Sequence, residues 1–186
     1  MNGDVERIRV VGIDYSVRSI DFVAIPYDTD EDESLDDARW RRVELPTESR
    51  VVGERDLARL AIAVRERLAG ELGWDSVRLT FIEKPYNNRN GRTLATLSVL
   101  EGAIAASLPI HVRRGAVNEL AVTEWKTLLC GHGHASKDEV RAHVERLGLP
   151  PGLSQDACDA AAIAWAGRHL NLEAERRARE RAEWMT

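Results

Sequence analysis

Four acidic residues constrain this chain more than any other feature, because of where they sit. Asp14 closes an apolar run, Val10-Val11-Gly12-Ile13, and Glu83 closes another, Leu79-Thr80-Phe81-Ile82. Asp156 and Asp159 stand three apart at the start of an apolar stretch that runs to Trp165. A carboxylate at the end of a buried strand costs desolvation energy unless positive charge compensates it. For four of them, a pair of divalent cations is the simplest compensation. Metal-dependent phosphoryl chemistry is the expectation that follows.

The periodicity around these acids gives an α/β domain. Residues Arg7–Asp14 and Ser19–Pro26 read as a hairpin of two strands, and Ala38–Leu45 as a third strand. Glu54–Leu72 has a helical stripe of Leu57, Leu60, Ala61, Val64 and Leu68, with Gly73 as its stop. Val77–Glu83 reads as a strand with Val77, Leu79, Phe81 and Glu83 on one face. A polar loop, Lys84–Arg92, leads to a helix with Leu94, Leu97, Leu100 and Ile104 on its apolar stripe. Pro109–Arg113 reads as a short strand and Val117–Leu128 as a short helix. Ser136–Leu147 is helical, with Ser136 and Glu139 spaced as a capping box. Gln155 to about Glu180 is the last helix, capped by Ser154. Strands first, then helices alternating with strands, imply a mixed five-stranded sheet with helices on both faces.

Length and composition narrow the class. With 186 residues and 44% hydrophobic residues, the chain is expected to be one domain, 1–186, with a sizeable core. Asp28–Asp37 is a dense acidic stretch expected to be a solvated loop; without its seven carboxylates the net charge of −5 becomes slightly basic. Global charge therefore does not exclude a nucleic-acid partner. Residues 173–186 are mostly charged and read as a solvent-facing extension of the last helix. Two cysteines, Cys130 and Cys158, are too few for a disulfide framework and suit a cytoplasmic protein with reduced thiols. The opening residues have no basic and apolar leader, and no apolar run reaches the roughly 20 residues that span a bilayer.

Each acid also has a plainer reading. Asp14 suits a turn, Glu83 could pair with Lys84 or Arg92, and Asp156 would favour a helix dipole at its N-terminus. Asp159 lies deeper in an apolar helix and is harder to excuse. At i and i+3, Asp156 and Asp159 share a helix face, and oxygen-only ligands select Mg²⁺, with Mn²⁺ as its substitute.

Basic and amide residues gather nearby in sequence. Lys84, Arg89 and Arg92 flank Tyr86, Asn87, Asn88 and Asn90, a mixture suited to phosphate contacts and stacking on unpaired bases. Arg113 and Arg114 end a strand and could touch a duplex arm. Lys126 lies beside Trp125, and Lys137 occupies a first helical turn, where a cation opposes the dipole unless a phosphate is present. His132 and His134 have only Cys130 at ligand spacing, so a turn near DNA is preferred over zinc.

At this point the residues resemble a family. Gly12-Ile13-Asp14 with Ser16 and Arg18 resembles the opening of the RuvC-type Holliday junction resolvases, and Phe81-Ile82-Glu83-Lys84 their second acidic strand. The stretch from Lys126 to Lys137, with Gly131-His-Gly133-His-Ala135 between, resembles the family's two lysines around a glycine turn. Asp156-Ala-Cys-Asp159 resembles its closing acidic helix. These motifs come in family order over roughly residues 8–170. The resemblance implies an RNase H-like fold, a homodimer, and a four-way DNA junction nicked symmetrically on two strands. It implies Asp14, Glu83, Asp156 and Asp159 as ligands to two Mg²⁺ ions, Lys126 and Lys137 near the scissile phosphate, and Tyr86 as a base-stacking aromatic. Tyr15-Ser16 replaces the family's Pro-Gly, and Cys158 replaces a small apolar residue. The small size and acidic insertion look like a divergent, phage-encoded member.

Three other readings keep parts of this pattern. The same fold and metals could act on forks, flaps or RNA–DNA hybrids, because fold does not settle substrate. An actin-like or sugar-kinase half also opens with strand-Gly-Ile-Asp, but needs two lobes. A junction-binding scaffold without catalysis would have no use for four uncompensated acids.

Overall fold

Alternating apolar residues build the centre of the structure, a computed structural model that describes residues 9–16, 18–27, 34–44, 62, 77–85, 91–108 and 117–184. Five strands form one sheet: β1 Arg9–Tyr15, β2 Ser19–Pro26, β3 Arg39–Glu44, β4 Val77–Glu83 and β5 Val117–Leu120, in the order β3-β2-β1-β4-β5. β2 runs antiparallel to β1 and to β3, while β4 runs parallel to β1 and to β5. The four described helices are α1 Gly91–Ser107, α2 Val122–Cys130, α3 Lys137–Arg146 and α4 Gln155–Glu183.

The period of two sorts side chains into two cores. Val10, Val23, Ile25 and Phe81 pack with Trp125, Leu129, Val140, Val144 and the alanine-rich start of α4. Val11, Ile13, Ile20, Phe22 and Ile82 pack on the other side with Leu100 and Ile104 of α1. Asp14 and Glu83 continue the alternation of Val10 and Phe81, so both fall on the α4 face.

Gly12 sets how close α4 comes. A Cβ there would lie 2.1 Å from the Ala160 carbonyl oxygen and 2.4 Å from the Ala164 nitrogen. Gly167 does the same against Phe81, whose ring atoms would stand 2.2–2.5 Å from an added Cβ. The alanines from Ala160 to Ala166 then lie flat on the sheet, fully buried. This backbone approach, two residues before Asp14, brings the first turn of α4 to the end of β1.

Several sequence expectations change. Residues 117–120, expected to begin a helix, form strand β5, and the helix starts at Val122. Parallel pairing of Thr80–Glu83 with Val117–Leu120 supplies backbone partners that the local sequence does not announce. Val77 packs with the α1-side core rather than with Leu79 and Phe81, because the β1–β4 register shifts between Arg9 and Val10. The acidic stretch is not solvated to its end: Leu35 is fully buried and its N–H donates to the Leu147 carbonyl. The expected helix over 54–72 (Ile62 apart, which is helical and exposed) and strand over 109–113 lie outside the described residues.

Both expected caps form. The Ser136 hydroxyl accepts from the Glu139 N–H while Glu139 accepts from the Ser136 N–H, and Ser154 accepts from the Ala157 N–H at 3.1 Å. The end of α4 is exposed from Arg176 onward, but Glu175 ties it to the sheet, accepting from Tyr27 Oη at 2.7 Å and Arg78 Nη2 at 2.8 Å. Among the described residues, no helix is long and apolar enough to cross a membrane. Cys130 and Cys158 are free, and burial raises both thiols above their ordinary pKa.

Candidate active site

Three elements deliver carboxylates to one end of the sheet. Asp14 is the next-to-last residue of β1, Glu83 ends β4, and Asp156 and Asp159 occupy the first turns of α4. Their mutual effect is visible at Asp14, whose pKa is pushed up to about 8. Burial is the largest cause, followed by the negative charges of Glu83, Asp159, Asp156 and Asp21. Glu83 and Asp159 are likewise raised, first by burial, with Asp159 adding to Glu83 and Asp156 adding to Asp159.

Neutral donors fix these acids in place. Trp125 Nε1 donates to Glu83 Oε2 at 3.2 Å from a fully buried position in α2. Gln155 Nε2 donates to Asp159 Oδ1 at 2.9 Å and to the Lys137 carbonyl at 3.4 Å. Arg141 holds Gln155 in turn, with Nη2 donating to its Oε1 at 3.3 Å and Nη1 donating to the Leu153 carbonyl at 2.8 Å. The start of α3 is thereby linked to the start of α4.

Lys126 and Lys137 both lie where their charges favour the ionised forms of Glu83 and Asp159. Lys126 Nζ donates to the Ala135 carbonyl at 2.7 Å and sits 5.5 Å from the centre of the Trp125 ring. The glycine turn after α2, with Gly131 at φ 83°, brings Ala135 back to that lysine. His132 meets Glu139 at 3.5 Å.

A fifth carboxylate belongs to the cluster. Asp21 on β2 lies directly opposite Asp14 in the antiparallel register and is fully buried. Its Oδ1 accepts from Trp40 Nε1 at 2.9 Å and from Ser154 Oγ at 3.3 Å, and its Oδ2, without a hydrogen bond, faces Arg42 Nη1 at 3.3 Å. Burial is again the main reason its pKa is raised, opposed by Trp40, Arg42 and Ser154. Arg42 Nη1 also lies 3.6 Å from Asp156 Oδ2. Sequence reasoning missed Asp21, Arg42, Trp125 and Gln155. The alternation of β2 places Asp21 in line with Val23 and Ile25, an acid on a core face, which was the available signal.

The remaining sequence candidates divide in two. Lys84 turns to Glu119, its Nζ 3.5 Å from Oε2, and its backbone N–H donates to the Leu120 carbonyl. Tyr86, Asn87, Asn88, Arg89, Asn90, Arg113 and Arg114, and the side chain of Arg92, lie outside the described residues.

An all-oxygen donor set with a half-buried, electrostatically crowded Asp14 suits a hard divalent cation. Among the described residues, no three His, Cys, Asp or Glu side chains are already closed around one point at metal-binding spacing. The four acids nevertheless share one field at this end of the sheet.

Sheet order β3-β2-β1-β4-β5, with a helix crossing at Gly12 and acids at the ends of β1, β4 and α4, defines an RNase H-like fold with an acidic centre. The chain belongs to the RuvC family, crossover junction endodeoxyribonuclease RuvC, which matches residues 48–167. It is 37% identical over 89 residues to RuvC of Dechloromonas aromatica and 37% identical over 90 residues to RuvC of Methylobacillus flagellatus. These matches take in 47% of this chain, and the chain spans about half the length of those curated relatives, 49% and 48%. In fold it is similar to Thermus thermophilus RuvC in complex with a Holliday junction substrate, with TM-score 0.65 and 21% identity, over 86% of this chain and 92% of that one. The yeast mitochondrial Holliday junction resolvase gives TM-score 0.59 and 14% identity, over 87% of this chain and 80% of its own.

Proposed function

We propose that this protein is a divalent-metal-dependent endonuclease that hydrolyses phosphodiesters in four-way DNA junctions. Asp14, Glu83, Asp156 and Asp159 are the residues that would hold two Mg²⁺ ions, with Mn²⁺ as a substitute. The observation that carries this reading is the convergence of these four acids from β1, β4 and α4 on one end of the sheet, where burial and the neighbouring carboxylates push the Asp14 carboxyl up to about 8. So many half-buried carboxylates crowded on one sheet end are costly without a cation and functional with one. When bound, such ions supply an activated water and stabilise the leaving oxygen of an in-line displacement.

The chain's own residues do the remaining work. Trp125 and Gln155 keep Glu83 and Asp159 oriented, so fewer rotations remain to be frozen when the substrate phosphate arrives. Lys126 and Lys137 add positive charge on the side of Glu83 and Asp159, where it would attract a phosphate and steady charge developing on it. Tyr86, Asn87, Arg89, Arg92, Arg113 and Arg114 are proposed DNA contacts, and Lys84 a peripheral one. Paired nicking would follow from a homodimer presenting two such sites to a two-fold junction. Family membership and the fold shared with a RuvC bound to a junction support this substrate over duplex DNA.

The test is incubation with a labelled four-way junction, a fork and an RNA–DNA hybrid, with and without Mg²⁺. Mg²⁺-dependent, paired nicking of the junction is expected. Preferential cutting of the hybrid, or nicking that persists in chelator, would overturn the assignment.

A further inference from the structure

Arg42 stands inside the acidic site rather than around it. A single nitrogen, Nη1, lies 3.3 Å from Asp21 Oδ2 and 3.6 Å from Asp156 Oδ2, bridging an acid of the sheet and an acid of α4. The guanidinium is gripped from two other directions. Nε donates to Glu44 Oε1 at 2.7 Å and Nη2 donates to Ser19 Oγ at 2.9 Å. Asp21 lies directly opposite Arg42 in the β2–β3 register, is fully buried, and is itself locked by Trp40 and Ser154.

The two ends of the bridge differ in strength. Asp21 is inaccessible to water, whereas the Asp156 side chain is 39% exposed and its contact is longer. An exposed, longer ion pair exchanges partners at little cost, and a shorter one to a fully buried acid does not. Arg42 is thus a cation firmly fixed at its inner end and loosely engaged at its outer end, and the loose end is on a proposed metal ligand.

We propose that Arg42 is a built-in counter-cation of the acidic site: it neutralises Asp21 and Asp156 until a divalent ion arrives, then yields Asp156 to the ion while staying on Asp21, Glu44 and Ser19. This rests on the reading of the four acids as a divalent-metal site. Two effects then act in the same direction when residue 42 is made neutral. The ion no longer competes with a guanidinium for Asp156, and it no longer feels a positive charge beside it. Metal affinity rises. A merely structural arginine would give the opposite sign, because losing it would loosen the start of α4 and weaken the site.

The experiment is calorimetric titration of Mn²⁺ into the metal-stripped full chain, as wild type, Arg42→Gln and Asp14→Asn, with thermal melts before and after saturation. Arg42→Gln is expected to bind Mn²⁺ about 3- to 10-fold more tightly. It is also expected to melt lower without metal and to gain more from saturating Mn²⁺ than wild type does. A folded Arg42→Gln with an unchanged or weaker midpoint overturns the proposal. Side-chain NMR of wild-type Arg42 during Mg²⁺ titration serves if that variant does not fold. The Nη signals should move in step with binding while Nε–H stays protected, and a guanidinium unmoved at saturation overturns the proposal equally. Wild type that binds no Mn²⁺, or Asp14→Asn that binds it as wild type does, would instead sink the metal-site reading beneath it.

Discussion

Asp14→Asn separates the charge of this residue from its shape, and pH reveals what that charge does to the fold. The Asp14 carboxyl is raised from 3.8 to about 8 in the folded protein. Between those values the folded state holds a proton that the unfolded chain has released. Stability must then fall as pH rises, and the contribution is fully present only below the unfolded value. A span of about four pH units at about 1.4 kcal/mol each sets a ceiling near 6 kcal/mol. Water reaching the half-buried carboxylate lowers this to about 2–4 kcal/mol. Asparagine has no such proton to lose. In urea melts with chelator present, the stability of Asp14→Asn relative to wild type should rise by about 1.5–3 kcal/mol between about pH 5 and about pH 9, the part of the span that lies above pH 5. Taking the difference between the two proteins removes every other group that titrates alike in both. Excess Mg²⁺ should erase the alkaline loss in wild type and leave Asp14→Asn unchanged, since only the former has the full ligand set. A difference that stays flat across this range would refute the crowding of acids around Asp14 and with it the principal support for the site.

Gly12→Ala should abolish docking of α4, because the new methyl would strike backbone atoms of Ala160 and Ala164 that cannot move without lifting the helix. The expected loss is at least about 3 kcal/mol, read from urea melts, and a variant within 1 kcal/mol of wild type would show that α4 sits elsewhere. Trp125→Phe keeps the buried ring but removes the donor to Glu83. It should lower junction cleavage about tenfold and raise the Mg²⁺ midpoint with little change in junction binding; a wild-type midpoint would remove Trp125 from the site. Lys137→Ala should reduce single-turnover cleavage by more than it weakens junction binding in gel shift, and equal losses would recast Lys137 as a simple phosphate anchor.

Much of the sheet was legible because alternation and apolar runs are local. β2 and β4 match their expected bounds, β1 runs one residue past Asp14 and β3 starts one residue after Ala38, while the other expected ends of β1 and β3 lie outside the described residues. Caps were legible for the same reason: Ser136 with Glu139, and Ser154, need only neighbours within one turn. β5 was not. Val117-Asn-Glu-Leu120 carries one buried residue in four and is followed by a helical pattern, so local preference extends the helix backward. Pairing with β4, more than thirty residues away in sequence, decides otherwise. The bulge that turns Val77 to the opposite core is likewise set by the match between β1 and β4, not by either strand alone.

The acids and the groups that hold them differ in the same way. Each of Asp14, Glu83, Asp156 and Asp159 ends or begins an apolar element, so its oddity is visible within a few residues. Arg42 is an ordinary arginine in a charged strand, and only its position opposite Asp21 makes it part of the site. That position depends on the β2–β3 register. A two-residue turn would have fixed it, but twelve residues separate Pro26 from Arg39, and so long a connection leaves pairing to tertiary packing. A shift of one residue would put Arg41 opposite Asp21 and turn Arg42 to the other face. The buried acid on β2 selects against that slip, since only Arg42 then reaches both Asp21 and Asp156. Asp21 therefore does two jobs with one charge: it fixes the register of the edge strand, and it sets a cation against Asp156 on α4.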